Sequence, residues 1–146
     1  MEGLRIQGVA TLVRVTRSID FCCSLRYWRG DLSPEENRER FGRNAQQHGH
    51  NYRLEVTVRG EPDPVTGMVM NIADLKVLLE QEVMARFDHR DLNADTSYFE
   101  KTPPTPEYFA RVIHGLLSRA LPAGMLDRIR LHQDADLFVD VLGDEP

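Results

Sequence analysis

Apolar and polar residues alternate near the start of the chain. Over 8–25 the odd positions read Val9, Thr11, Val13, Val15, Arg17, Ile19, Phe21, Cys23 and Leu25. A period of two marks a half-buried strand, so this stretch predicts one long strand or two in succession. The alternation returns over 49–59, where Tyr52, Leu54, Val56 and Val58 carry the apolar side. Between the two runs, Ser33-Pro34-Glu35-Glu36 is a capping-box start with proline at the first helical position, which predicts a short helix near 34–41. A turn containing Pro62, Asp63, Pro64 and Gly67 closes the second strand. The period then becomes helical: Ile72, Leu75, Leu79, Val83 and Phe87 share one face. The segment 88–104 is predicted as loop. Thr105-Pro106-Glu107 opens a second helix, with Phe109, Ile113, Leu116, Leu117 and Ala120 on one side and Pro122 as its stop. Ile129/Leu131/Gln133 and Leu137/Val139/Val141 form a last pair of strands around a turn at 134–136.

The order strand, strand, helix, helix, strand, strand predicts an α+β domain spanning 1–146, an antiparallel four-stranded sheet with two helices on one face. A chain of 146 residues suits one core. Charged residues at 28% and hydrophobic ones at 41% fit an ordinary globular composition. The formal charge of -5 speaks against binding a phosphate backbone, so no nucleic-acid partner is expected. No apolar run approaches the roughly 18 residues of a membrane span, and the first residues hold no signal-peptide core. The two cysteines, Cys22 and Cys23, are neighbours and cannot form a normal disulfide, which fits a reducing cytoplasm.

The chemistry concentrates at His48-Gly49-His50. Both histidines share the even parity of Tyr52, Leu54 and Val56, so a strand here aims both imidazoles toward the buried side. That arrangement offers two metal ligands or two site histidines at once. Asp88-His89 is a proton-transfer pair able to work near neutral pH. Glu107 is either a site carboxylate or an ordinary acidic residue in a helix first turn.

Five motifs in order carry a resemblance to a known family: His48-Gly49-His50-Asn51-Tyr52, Thr66-Gly67-Met68-Val69, Asp74-Leu75-Lys76, Asp88-His89 with Leu92-Asn93, and Pro104-Thr105 with Glu107. Together, from about Phe21 to about Gln133, the chain resembles 6-pyruvoyltetrahydropterin and 6-carboxytetrahydropterin synthases. The resemblance implies the ββααββ tunnelling fold, small subunits assembled into a barrel as trimers or hexamers, and active sites at the interfaces. It also implies zinc held by three histidines, a cysteine before H-G-H, the aspartate–histidine pair, and a late-strand glutamate that anchors the pterin ring.

Three of those groups differ here. Leu25 stands where the first zinc histidine belongs, Asn44 where the cysteine belongs, and Gln133 where the glutamate belongs. Leucine has no lone pair, and two imidazoles fall short of the three protein ligands of a catalytic zinc, so zinc at His48 and His50 is disfavoured and no cofactor is expected. Cys23, one repeat along the strand from Leu25, reaches such a site only if the strand shifts. Asn44 does not titrate usefully. Gln133 keeps the shape of glutamate without its charge, so ordinary dihydroneopterin triphosphate turnover is not expected.

The sequence therefore points to a repurposed enzyme with a small-molecule substrate. Asp88, His89 and Glu107 are its expected catalytic groups, and His48, His50, Gln133, Asn44 and Leu25 are expected to line its substrate site. The expected reaction is a metal-independent condensation or cyclisation of an amine with a carbonyl compound, of which a Pictet–Spengler closure is one form. A zinc-dependent 6-carboxytetrahydropterin synthase-like lyase and a non-catalytic oligomeric binding protein are the competing readings.

Overall fold

A computed structural model describes residues 5–6 and 9–143; the readings of the first four residues and of Gly8 lie outside the described residues. Two short strands, β1 (Arg5–Ile6) and β2 (Val9–Ala10), pair antiparallel. The long alternating run then becomes β3 (Val13–Leu25). It pairs antiparallel with β4 (His48–Gly60) along its whole length, from Val13 opposite Gly60 to Leu25 opposite His48. Helix α1 (Pro34–Phe41) lies between them, with the Ser33 hydroxyl accepting from the Glu36 N–H as the capping box requires.

The second helical run starts at α2 (Ile72–Leu79), capped by Asn71. It widens into a π turn over Glu80–Met84 before a last α-helical turn, α3 (Ala85–Phe87). Apolar spacing does not reveal such an insertion. Just beyond it, the Phe87 carbonyl and Asp88 meet β3. Next come β5 (Arg90–Asp91), helix α4 (Pro106–Ala120) capped by Thr105, and strands β6 (Leu126–Asp134) and β7 (Leu137–Leu142).

The main sheet has the order β5-β3-β4-β6-β7. The expectation of four antiparallel strands is corrected by β5, which runs parallel to β3 with Arg90 opposite Cys23 and Asp91 opposite Ser24. A two-residue strand is too short to show any period, so 88–104 reads as loop in the sequence.

One face of the sheet is buried under the helices. Phe21, Cys23, Leu25, Tyr52, Leu54, Val56, Ile129 and Leu131 meet Leu75, Leu79, Val83, Phe87, Phe109, Ile113 and Leu117 in a single cluster. Phe109 is its hub, with ring centroids 5.0 Å from Phe87, 5.3 Å from Tyr52, 5.7 Å from Phe99 and 6.0 Å from Phe21. The opposite face carries polar cross-strand pairs: Thr16 with Thr57, Asp20 with Arg53, and Glu55 with His132. The site lies where the two faces meet, at the Leu25 end of β3.

Candidate active site

Ladder pairing decides which side chains share this end of the sheet. Paired residues of an antiparallel ladder project to the same face. Cys23 is opposite His50 and Leu25 opposite His48, so all four point to the helix side, as parity predicts. The two imidazoles are half-buried and meet edge to face with centroids 5.2 Å apart. His48 Nδ1 bonds the Gln46 carbonyl at 2.7 Å, which leaves Nε2 open. His50 Nδ1 lies 3.4 Å from the Asp134 carboxylate. Gly49 between them sits close to the neighbouring strand: a Cβ there would stand 3.0 Å from the Cys23 carbonyl oxygen, a tight contact with backbone.

Tyr27 packs against His48 at 6.1 Å, and its backbone N–H donates to the Asn44 carbonyl. Burial pushes the Tyr27 phenol above its usual range, and the Glu107 charge adds to that. Asn44, Tyr27, Glu107 and His48 thus share one corner, with Asn44 and Glu107 themselves exposed. Of the neighbouring loop residues, the Arg26 guanidinium stacks on Trp28 and Arg29 pairs with Asp31.

Asp88 and His89 form a second centre. His89 Nδ1 lies 3.0 Å from Asp88 Oδ1. The pair is clipped to β3 twice: the Cys22 N–H donates to Asp88 Oδ1 at 3.1 Å, and the His89 N–H donates to the Cys22 carbonyl at 2.7 Å. Partial burial works to raise the Asp88 pKa. The hydrogen bonds from Cys22 and His89 outweigh it and hold the carboxyl below its ordinary range. His89 adopts a φ of 60°, a left-handed backbone uncommon for a residue with a side chain. Its ring is largely exposed.

The pair opens on a cavity of about 810 Å³, whose walls include Cys22, Tyr52, Glu55, His132 and Asp134. A smaller cavity beside it is shared by His50 and His89 and links the two centres. Glu107 is not on the wall of either cavity.

Gln133 sits in a bulge of β6, where the ladder slips between His132 and Asp134. Its amide nitrogen reaches Asp134 at 3.4 Å, while its carbonyl oxygen is buried without a hydrogen-bond partner. The Tyr52 hydroxyl, one ladder step away, is likewise buried and unpartnered. Buried polar atoms are normally paired, and these two are exceptions to that rule.

Several of these residues escaped the sequence reading. The His132–Glu55 pair, at 2.8 Å, lines the large cavity from the sheet's polar face. His132 is adjacent to Gln133, and its opposite parity was the available signal. Cys22 reaches the Asp88–His89 pair across 66 residues of sequence, which spacing alone does not reveal.

The fold and the site thus define an α+β subunit with helices on one side of its sheet and paired imidazoles and carboxylates at one end. The profile of the 6-pyruvoyl tetrahydropterin synthase family matches residues 14–143. The chain belongs to that family. It is 41% identical to the 6-pyruvoyl tetrahydrobiopterin synthase of Homo sapiens over 133 residues, 90% of this chain and 92% of that one. It is 45% identical to the Poecilia reticulata synthase of the same name over 121 residues, 82% of each chain. Its fold matches the Caenorhabditis elegans 6-pyruvoyl tetrahydropterin synthase structure with a TM-score of 0.84 and 31% identity, covering 92% of this chain and 98% of the other.

The fold family brings with it the expectation of zinc on three histidines, and the donor set can be tested against that. Position 25 is a leucine with no exposed surface, directly across from His48. Cys23, across from His50, donates its thiol proton to the Phe87 carbonyl at 3.1 Å. Burial, with the neighbouring Cys22 and Asp88 charges adding, pushes that thiol far above its usual range. Among the described residues, the set of three donor atoms within 4.8 Å of one another is Cys22, Asp88 and His89, and includes neither His48 nor His50. The donors around His48 and His50 do not fit a three-ligand zinc centre.

Proposed function

We propose that the protein is a biosynthetic enzyme that joins or closes a flat heteroaromatic or amine-bearing small molecule onto a carbonyl group by metal-independent acid–base catalysis. The observation that carries this reading is the 3.0 Å Asp88–His89 contact opening on the large cavity. Supporting it, the cavity has the size of a small-molecule pocket, for which about 300–1,000 Å³ is usual. The Glu55 and Asp134 carboxylates on the cavity wall supply polar contacts for a heterocycle.

With its Nδ1–H turned to Asp88, His89 offers Nε2 to the cavity. It takes the proton released by the attacking amine while the alkoxide takes one from solvent, and it then gives its own proton to the carbinolamine hydroxyl, which leaves as water. It then removes the proton from the ring carbon that closes onto the iminium, as in a Pictet–Spengler reaction. Asp88 holds the imidazole in the required tautomer and stabilises its charged form. His50, paired to Asp134, borders the adjoining smaller cavity, while Asn44, Glu107 and His48 gather at the Tyr27 corner, off the wall of the large one.

The test is turnover of amine and aldehyde pairs by enzyme dialysed against a chelator. Product formation that persists after dialysis and disappears in His89→Gln supports the proposal. Activity that vanishes on chelation and returns with zinc overturns it in favour of a zinc-dependent carboxytetrahydropterin-type lyase. That second reading draws on one observation, the open Nε2 of His48.

A further inference from the structure

The cysteine beside the Asp88–His89 pair has no part in the chemistry described so far, and its surroundings set it apart from Cys23. Cys23 is 5% exposed with its thiol spent on a backbone carbonyl. Cys22 points to the other side of β3, is only half-buried, and lines both cavities together with His89. Its sulfur lies within 4.8 Å of a His89 ring nitrogen and an Asp88 oxygen. Its backbone is fixed on both sides by the same two residues, which holds the Cys22 Cα beside the pair.

We propose that Cys22 is a further catalytic residue, a thiol nucleophile served by His89 and held in register by Asp88, which captures the aldehyde partner of the reaction. This deepens the acid–base reading and rests on its Asp88–His89 pair. A thiol, an imidazole and a carboxylate brought to within 4.8 Å of one another carry the residue types that activate sulfur in unrelated enzymes. In the step, the S–H proton passes to His89 and the sulfur lone pair forms a C–S bond to the carbonyl carbon. The C=O π pair moves onto oxygen, which takes the proton back from His89. The product is a hemithioacetal, and its reversal returns the thiol and the aldehyde, so no oxidant or reductant is consumed. The capture holds the former carbonyl carbon on Cys22 Sγ, and breaking the C–S bond restores the aldehyde next to the imidazole that serves the amine.

The experiment is alkylation of the native full-length chain with iodoacetamide at neutral pH, located by fragmentation between the adjacent cysteines in a mass spectrometer. One modification per chain is expected, on Cys22 and not on Cys23. His89→Gln is expected to slow it by at least roughly tenfold. Prior incubation with pyridine-4-carboxaldehyde is expected to slow it in the wild type. Absence of labelling at Cys22, or an unchanged rate in His89→Gln, overturns the proposal. So does one equivalent of tightly held zinc that is lost in Cys22→Ser, because the trio is then a metal site. Turnover kept in Cys22→Ser but lost in His89→Gln removes the thiol step and leaves the acid–base reading standing. Turnover kept in His89→Gln removes both.

Discussion

Leu25 faces His48 across the β3–β4 ladder, and the pair shares the helix-side face with Cys23 and His50. A histidine at position 25 would put a third imidazole beside the two already present. Leu25→His should therefore create a zinc site holding about one ion per chain after exhaustive dialysis, measured by atomic emission. Without metal the variant should lose stability, because it buries an imidazole where a leucine has no exposed surface. The loss should be on the order of 2 kcal/mol in urea titrations. Wild-type protein that already carries one zinc per chain would falsify the donor-count argument.

The Asp88–His89 contact makes a different demand. Asp88→Asn keeps the shape but offers the ring an amide, so the tautomer with Nε2 free is no longer enforced. Activity should fall by roughly 10²–10⁴-fold, with a smaller change in KM, in steady-state assays. The carboxyl also has a pH signature. Burial works against it, but the Cys22 and His89 hydrogen bonds keep its folded pKa below the ordinary 3.8. A depressed carboxylate stabilises the fold above the unfolded value and loses that contribution as pH falls through the folded value. Wild type should thus be the more stable protein at about pH 6, and the gap to Asp88→Asn should shrink toward about pH 3. A gap that is constant over that range argues against the hydrogen-bonded carboxylate.

Gly49 spaces the two histidines for a steric reason. The Cys23 carbonyl oxygen is 3.0 Å from where a Cβ would stand, and it belongs to a backbone that is itself fixed by the sheet. Gly49→Ala should cost about 1–3 kcal/mol and shift the His48 and His50 ring resonances in NMR spectra. Unchanged resonances with full stability would mean that β3 and β4 separate more easily than the ladder implies.

These relationships were legible in the sequence to different degrees. Parity alone placed His48, His50 and Tyr52 on one face, because the pleat fixes it without any partner strand. The caps at Ser33 and Thr105 and the apolar stripe from Ile72 to Phe87 were read for the same kind of local reason. Arg90–Asp91 was missed because two residues carry no period. The π turn at Glu80–Met84 was missed because apolar spacing tolerates one inserted residue. Cys22 joined Asp88 only through a contact across 66 residues, which follows from the ladder and the helix end together. The bulge at Gln133 depends on the slip of β6 against β7, and nothing in the order Leu131-His132-Gln133-Asp134 announces it.

That bulge supports the last prediction. Gln133 Nε2 lies 3.4 Å from the Asp134 carboxylate, and its Oε1 is buried without a partner. Gln133→Glu replaces the donor facing Asp134 by a second negative charge in the same half-buried space. Both burial and like charge disfavour ionisation, so the new carboxyl should have a folded pKa above its unfolded value of about 4.3. For an acid with a raised folded pKa the cost is absent at low pH and appears as pH climbs past the unfolded value. The variant should therefore match wild type in urea titrations near pH 4 and fall short of it by on the order of 1–2 kcal/mol near pH 7. A heterocycle with adjacent N–H donors would satisfy that charge, so adding pterin at pH 7 should recover part of the loss in the variant and less in wild type. Equal stability of the two proteins at both pH values would show that the Gln133 side chain is not held against Asp134 in solution.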